Sequence, residues 1–254
     1  MASSNSSTGA SVADARRYAL LTGVATPTDF PLVSIVVPVF EAERHVRESL
    51  DSILGQTYPN LEVLVMDDAS TDGSAEVAAG FDDPRLQLHR NERNLGQFAN
   101  VNTGIRLARG ELIAIHHADD VYERDLLAEQ VRYLEAVPEA GAVFALDSFI
   151  GPAGAVFGRV ELPAEFRDGR LLRYPEILNG VLRYGNTLLR ANSSLVRRDA
   201  YRAVGLFDDA YDLRADLEMW LRISRSYPIA IVDHHLVRYR WGHENVSGGA
   251  QRTC

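Results

Sequence analysis

The sequence predicts an α/β fold with a mainly parallel central sheet and helices on both faces. Short β-branched runs alternate with segments whose apolar residues recur at helical spacing. The runs are nearly continuously apolar, as strands buried on both faces must be. Several of them end abruptly in acidic clusters, and in open α/β sheets ligands sit beyond the carboxyl ends of the strands.

The elements follow in order. Val33-Ser34-Ile35-Val36-Val37, closed by Pro38, reads as the first strand. Val46, Leu50, Ile53 and Leu54 then recur at helical spacing. Leu61 to Met66 is a second strand, closed by Asp67-Asp68, and Asp72-Gly73-Ser74 opens a helix. Arg85 to Arg90 alternates as a third strand, with Leu86 and Leu88 on one face. Phe98, Val101, Ile105 and Ala108 mark a helix, and Leu112 to Ile115 is a fourth strand that runs into His116-His117-Ala118-Asp119-Asp120. A helix carrying Leu127, Val131 and Leu134 precedes a fifth strand, Ala142 to Ala145. Residues 147–190 read as irregular. Arg197 to Val204 reads as helical, and Asp216 to Arg225 as an amphipathic helix with Leu217, Trp220, Leu221 and Ser224 on one face. Ile229 to Val232 and Leu236 to Tyr239 read as two final strands.

Composition limits the function classes. The 254 residues suit one large domain, and 46% hydrophobic with 24% charged residues is ordinary for a globular chain. Cys254 is the only cysteine, so no intramolecular disulfide can form. A net charge of -9 argues against nucleic acid as partner, since phosphate backbones call for a basic face. A single nucleotide needs only local neutralisation. No apolar run approaches the roughly 20 residues of a membrane-crossing helix. The opening MASSNSSTGA lacks the basic start and apolar core of a signal peptide, so the expectation is a cytoplasmic protein. Residues 1–31, rich in Ser, Thr and Ala, read as a flexible tail with a short helix near Ala13 to Leu21.

Three acidic positions converge on one sheet edge: Phe40-Glu41, Asp67-Asp68 and Asp119-Asp120. Carboxylates at a strand end suit a divalent cation, Mg²⁺ or Mn²⁺, which neutralises a leaving diphosphate. An Asp pair also suits the first turn of a helix, where it caps free N–H groups. The apolar strand before Asp119-Asp120 and the other acidic strand ends favour the ligand site.

These segments together resemble the family 2 glycosyltransferases. The resemblance runs through Val33 to Phe40, Ser52-Ile53-Leu54-Gly55-Gln56-Thr57-Tyr58-Pro59-Asn60, Val65 to Ser74, Asn94-Leu95-Gly96 and Ala118-Asp119-Asp120. It continues through Arg197-Arg198, Gly205-Leu206-Phe207-Asp208 and Asp216 to Arg222, so it covers residues 32 to 247. It implies a GT-A fold, with residues 32–121 as nucleotide-binding half, 122–247 as acceptor-binding half, and 248–254 as a tail. It implies an inverting, hexosyltransferase-type enzyme that uses a nucleotide-diphosphate sugar, with UDP the habitual nucleotide. Pro38, Phe40 and Glu41 are then expected along the nucleoside, Asp68 on the base, Arg93 and Asn94 near the donor, and Asp119 on ribose or sugar. Asp120 is expected to bind the metal, and Asp216 occupies the place of the general base. His243 resembles the late His that approaches metal or diphosphate, and Asn192 falls where an acceptor-side loop is expected. Two departures stand out: Phe40 replaces the usual Tyr, and Ala215 replaces the Glu that usually precedes the base.

The chemistry asks for Asp216 independently. Inverting displacement needs a carboxylate opposite the leaving group to take the acceptor's proton. Capping its helix is the competing role for that Asp. Consecutive strand residues face opposite ways, so His116 and His117 cannot both be ligands, and both read as supporting groups. His234-His235 reads as a solvated turn. Arg240 and Trp241 read as phosphate contacts or flap packing. The acceptor is left as a glycan, a lipid-linked glycan, a peptide or a small molecule; peripheral membrane contact and a homodimer are both compatible.

Two rival functions match parts of this pattern. A sugar-nucleotide nucleotidyltransferase calls for a basic Gly-rich loop after the first strand, where this chain has Pro38-Val39-Phe40-Glu41. A non-catalytic nucleotide-sugar or glycan-binding protein on the same fold is kept in view by Ala215.

Overall fold

A computed structural model of the chain describes residues 30–242. The anticipated helix near Ala13 to Leu21 and the candidate ligand His243 lie outside the described residues.

The expected first half is present. Strands β1 (Val33–Val39), β2 (Leu61–Asp67), β3 (Leu86–Arg90) and β4 (Leu112–Ile115) pair in parallel in the order β3-β2-β1-β4. Helices α1 (Val46–Leu54), α2 (Ser74–Ala79) and α3 (Gln97–Leu107) connect them. A short strand β5 (Val121–Tyr122) and helix α4 (Leu126–Ala136) follow.

The second half extends the same sheet. It holds β6 (Ala142–Ile150), β7 (Val156–Arg159), α5 (Tyr174–Tyr184), β8 (Ser194–Arg197), α6 (Arg198–Val204), α7 (Ala215–Ser226) and β9 (Ile229–Arg240). The full order is β3-β2-β1-β4-β8-β6-β9-β5, with β7 on β6. β8 runs antiparallel to both β4 and β6, so it reverses and restores the strand direction. β9 is parallel to β6, while β5 and β7 are antiparallel edge strands. Six of the nine strands therefore run one way, as a mainly parallel sheet requires.

Side-chain alternation divides the core into one cluster on each sheet face. Val33, Ile35, Val63, Val65, Ala114 and Val143 meet α1 and α4 through Leu50, Ile53, Leu127 and Val131. Val36, Leu64, Ile113 and Phe144 meet α3 and α7 through Val101, Ile105, Met219 and Trp220. Gly104 permits the closest approach of α3, since a Cβ there would lie 2.4 Å from Val36 Cγ1.

Three expectations change. Residues 147–190 contain the rest of β6, β7 and α5. The two final strands are one, β9, whose pairing with β6 shifts register between Phe144 and Asp147. His234-His235 lies in that bulged stretch, where His234 Nδ1 meets Glu129 Oε2 at 2.5 Å and His235 Nε2 meets the Val160 carbonyl at 2.9 Å, so it is not a turn. No described helix is long and apolar enough to cross a membrane.

Candidate active site at the carboxyl edge of the sheet

The loops after β1 and β2 are stitched together by side chains. Glu41 Oε1 accepts from the Thr71 N–H at 2.7 Å, and Ser74 Oγ accepts from the Ala42 N–H at 2.8 Å. Glu41 and Ala69 both hold positive φ, 50° and 60°, and such strain persists only where the surroundings impose it. Phe40 projects from this edge with 51% of its surface exposed, so a planar ring can lie against it. Pro38 is half-buried beside it.

Asp68 is buried and its carboxylate organises the loop after β3. Oδ1 accepts from Asn91 Nδ2 at 2.8 Å and from the Leu95 N–H at 2.9 Å, and Oδ2 accepts from the Gly96 N–H at 3.0 Å. Gly96, at φ 90°, allows the two N–H groups to converge. Arg93 and Asn94 are exposed on this loop, and Asn94 Oδ1 also accepts from Gly96 N–H at 2.9 Å.

Past β4, His117, Asp119 and Asp120 each offer a ligand atom, all within 4.8 Å of one another. Asp120 is fully buried. Its Oδ1 accepts from the Arg240 N–H at 2.8 Å and its Oδ2 from Asn192 Nδ2 at 2.7 Å. Burial, reinforced by Asp119, pushes the Asp120 carboxyl well above the usual carboxylate range. His117 and Asp119 keep exposed surface. His117 thus belongs with the acidic pair rather than behind it. His116 is buried and stacked on Tyr122 with ring centroids 3.9 Å apart, and burial lowers its pKa to about 3.

Arg240 is buried and braces the acidic loop. Its Nε donates to the Asp119 carbonyl at 2.8 Å, Nη1 to the Pro152 carbonyl at 3.0 Å and Nη2 to Glu48 Oε2 at 2.6 Å. Its guanidinium is spent on the fold, which corrects its reading as a phosphate contact. Asn192 is corrected as well: it is fully buried behind Asp120, so it cannot face an acceptor.

Asp216 is the second residue of α7. Its Oδ1 accepts from the Leu217 N–H at 2.6 Å and its Oδ2 from Asn186 Nδ2 at 3.0 Å. Burial raises its carboxyl above the ordinary value, against the opposing pull of these hydrogen bonds and of Arg190. Ala215 is fully buried in the core, so nothing at that position replaces the missing acid.

Sequence reading missed a charged pair at the centre of this arrangement. Asp147 of β6 is 2% exposed and stands 3.2 Å from Arg190 Nε. Burial pushes the Asp147 carboxyl up to about 7 although Arg190 pulls it down. The Arg190 guanidinium lies over Tyr239, 4.6 Å from the ring centroid. A lone Asp interrupting the apolar run of β6 was the available signal.

A mixed sheet with this strand order and an acidic cluster at its carboxyl edge is the GT-A architecture. The chain belongs to glycosyl transferase family 2, whose pattern matches residues 34–205. An uncharacterised glycosyltransferase of Haemophilus influenzae is 29% identical over 218 residues, 83% of this chain and 65% of that protein. One from Methanocaldococcus jannaschii is 27% identical over 217 residues, 84% of this chain and 71% of that protein. A relative in Rickettsia felis is matched over 35% of its length, so the chain spans between about a third and two thirds of several curated relatives. Among solved structures, S. aureus TarS 1-349 in complex with UDP-GlcNAc superposes with TM-score 0.68 at 18% identity, covering 84% of this chain and 59% of TarS. The mannosyltransferase PcManGT from Pyrobaculum calidifontis, in complex with GDP-Man and Mn²⁺, gives 0.56 at 28% identity, covering 81% and 57%.

Proposed function

We propose that this chain moves a hexose-type sugar from a nucleoside-diphosphate sugar to an acceptor hydroxyl with inversion at the anomeric carbon. The observation that carries the reading is Asp216: a half-buried carboxylate held by Asn186 in the first turn of α7, the helix that leads into β9, whose Arg240 bonds Asp120. Asp216 accepts the proton of the acceptor hydroxyl as that oxygen bonds the anomeric carbon. The bond to the diphosphate breaks on the opposite face, and the nucleoside diphosphate leaves. Membership of the family and the nucleotide-sugar complexes of TarS and PcManGT support the donor class.

The residues fit a divalent cation. Two carboxylates and an imidazole each offer a ligand atom, all within 4.8 Å of one another, and a cation would offset their excess negative charge. When bound, the cation supplies neutralisation of the leaving diphosphate. In this reading Asp119 and His117 face the cation while Asp120, enclosed by Asn192 and Arg240, sets the position of Asp119. Asp119 takes the outward role in this reading because it is partly exposed where Asp120 is buried.

Residues 32–121 hold the donor and 122–247 the acceptor. Pro38, Phe40 and Glu41 flank the nucleoside, Asp68 orders the loop carrying Arg93 and Asn94, and lone pairs left on Asp68 reach the base. The test is release of nucleoside diphosphate from a panel of UDP-, GDP- and dTDP-sugars with Mn²⁺ or Mg²⁺. Slow hydrolysis of one donor is expected without any acceptor. Absence of both binding and turnover across the panel would remove the donor assignment.

A further inference from the structure

The donor fork of Arg190 is the group in this site that the mechanism above does not use. Its side chain is 20% exposed and enters from the segment between α5 and β8. Asp147 Oδ2 stands 3.2 Å from Nε, an ion pair without hydrogen-bond alignment. Two rings fix it face-on, with Tyr239 4.6 Å and Phe149 5.5 Å from the guanidinium carbon. Among the described residues, Nε is the Arg190 nitrogen enclosed by protein, and no described group accepts from Nη1 or Nη2.

A guanidinium paired with a buried carboxylate and packed on two rings, with its outer N–H pair unspent, has the geometry for two parallel bonds to an oxyanion. Its rotamer is already fixed, so little side-chain entropy is lost when the anion arrives. The position narrows the anion. Arg190 stands two residues before Asn192, whose Nδ2 donates to Asp120 of the cation-ligand cluster at 2.7 Å. The Arg190 charge also acts on Asp216, the proposed base, and in the proposed reaction the glycosyl–phosphate bond lies between that cluster and that base.

We propose that Arg190 is a substrate-binding residue whose Nη1 and Nη2 receive the sugar-linked phosphate of the donor's diphosphate, with Asp147, Tyr239 and Phe149 as its mount. The assignment rests on the glycosyl-transfer reading. It gives the leaving group a second positive partner supplied by the acceptor half, and so ties donor binding to residues on β6 and β9. A nucleoside monophosphate lacks the phosphate that Arg190 contacts.

The test is calorimetry in excess Mn²⁺ with UDP against UMP and GDP against GMP, using the pair whose base wild type binds. Arg190→Gln leaves Asp147 buried without its cation, so D147N/R190Q is measured beside it to keep the pair neutral. Both variants should lose about 10- to 100-fold in diphosphate affinity, the value of a charge-assisted contact, with monophosphate affinity unchanged. An unchanged ratio of diphosphate to monophosphate affinity in the folded double variant overturns the assignment and points to an anion carried by the acceptor. If wild type binds none of the nucleotides, the donor reading itself fails and this assignment with it.

Discussion

Asn192 donates to Asp120 at 2.7 Å, joining the 3-10 turn before β8 to the acidic loop after β4. The bond lies inside the protein, with both residues fully buried. It makes a residue of the second half part of the mount for the acidic pair. Asn192→Ala should therefore cost about 1–3 kcal/mol of stability, because Asp120 loses a buried partner. Chemical denaturation measures this. A loss of acceptor selectivity with stability untouched would return Asn192 to the acceptor side.

Asp119 and Asp120 should separate by phenotype. Asp119→Ala should remove the cation-dependent part of nucleotide binding and leave stability within about 0.5 kcal/mol, as expected at a partly exposed position. Calorimetry with and without EDTA, beside thermal unfolding, reads both quantities. Retained cation dependence would hand the outward role back to Asp120.

Arg240→Ala should destabilise by about 1–3 kcal/mol, since it leaves the Asp119 and Pro152 carbonyls without their donor. Arg240→Lys keeps the charge but lacks the fork, so it should recover only part of that loss. Urea midpoints of the three proteins decide the order.

Asp216 sets a pH dependence with opposite signs for activity and stability. Its folded carboxyl lies above the ordinary value, chiefly through burial. Between the ordinary and the raised value the native state holds a proton that the unfolded chain has lost. Stability contributed by this group therefore falls as pH rises through that window, while activity rises as the base form appears. Asn186→Ala removes a hydrogen bond to the carboxylate, so the acid limb of the rate profile should move to higher pH. A limb that moves down or stays fixed argues against Asp216 as the titrating base.

The donor half was legible because its strands are buried on both faces. Val33 to Val37, Leu61 to Met66 and Leu112 to Ile115 could only be interior strands, and the acids that close them could only gather at one edge. The acceptor half was hidden for physical reasons. β8 is four residues long and begins with a buried Ser, and α5 carries Pro175 and Gly180 and ends at Gly185. Asn192-Ser193-Ser194 looks exposed by composition, yet all three residues are buried by hydrogen bonds to partners distant or local. Asp147 and Arg190 lie far apart in the chain and become a pair only when β8 pairs with β6.

The most direct measurement compares wild type with Asp216→Asn on the donor selected from the nucleotide-sugar panel. The substitution keeps the shape and neutralises the base. Nucleotide affinity should be unchanged, stability equal or higher, and transfer to acceptor reduced about 10²- to 10⁴-fold. Equal turnover in both proteins would contradict Asp216 as the base, and with it the catalytic account of this site.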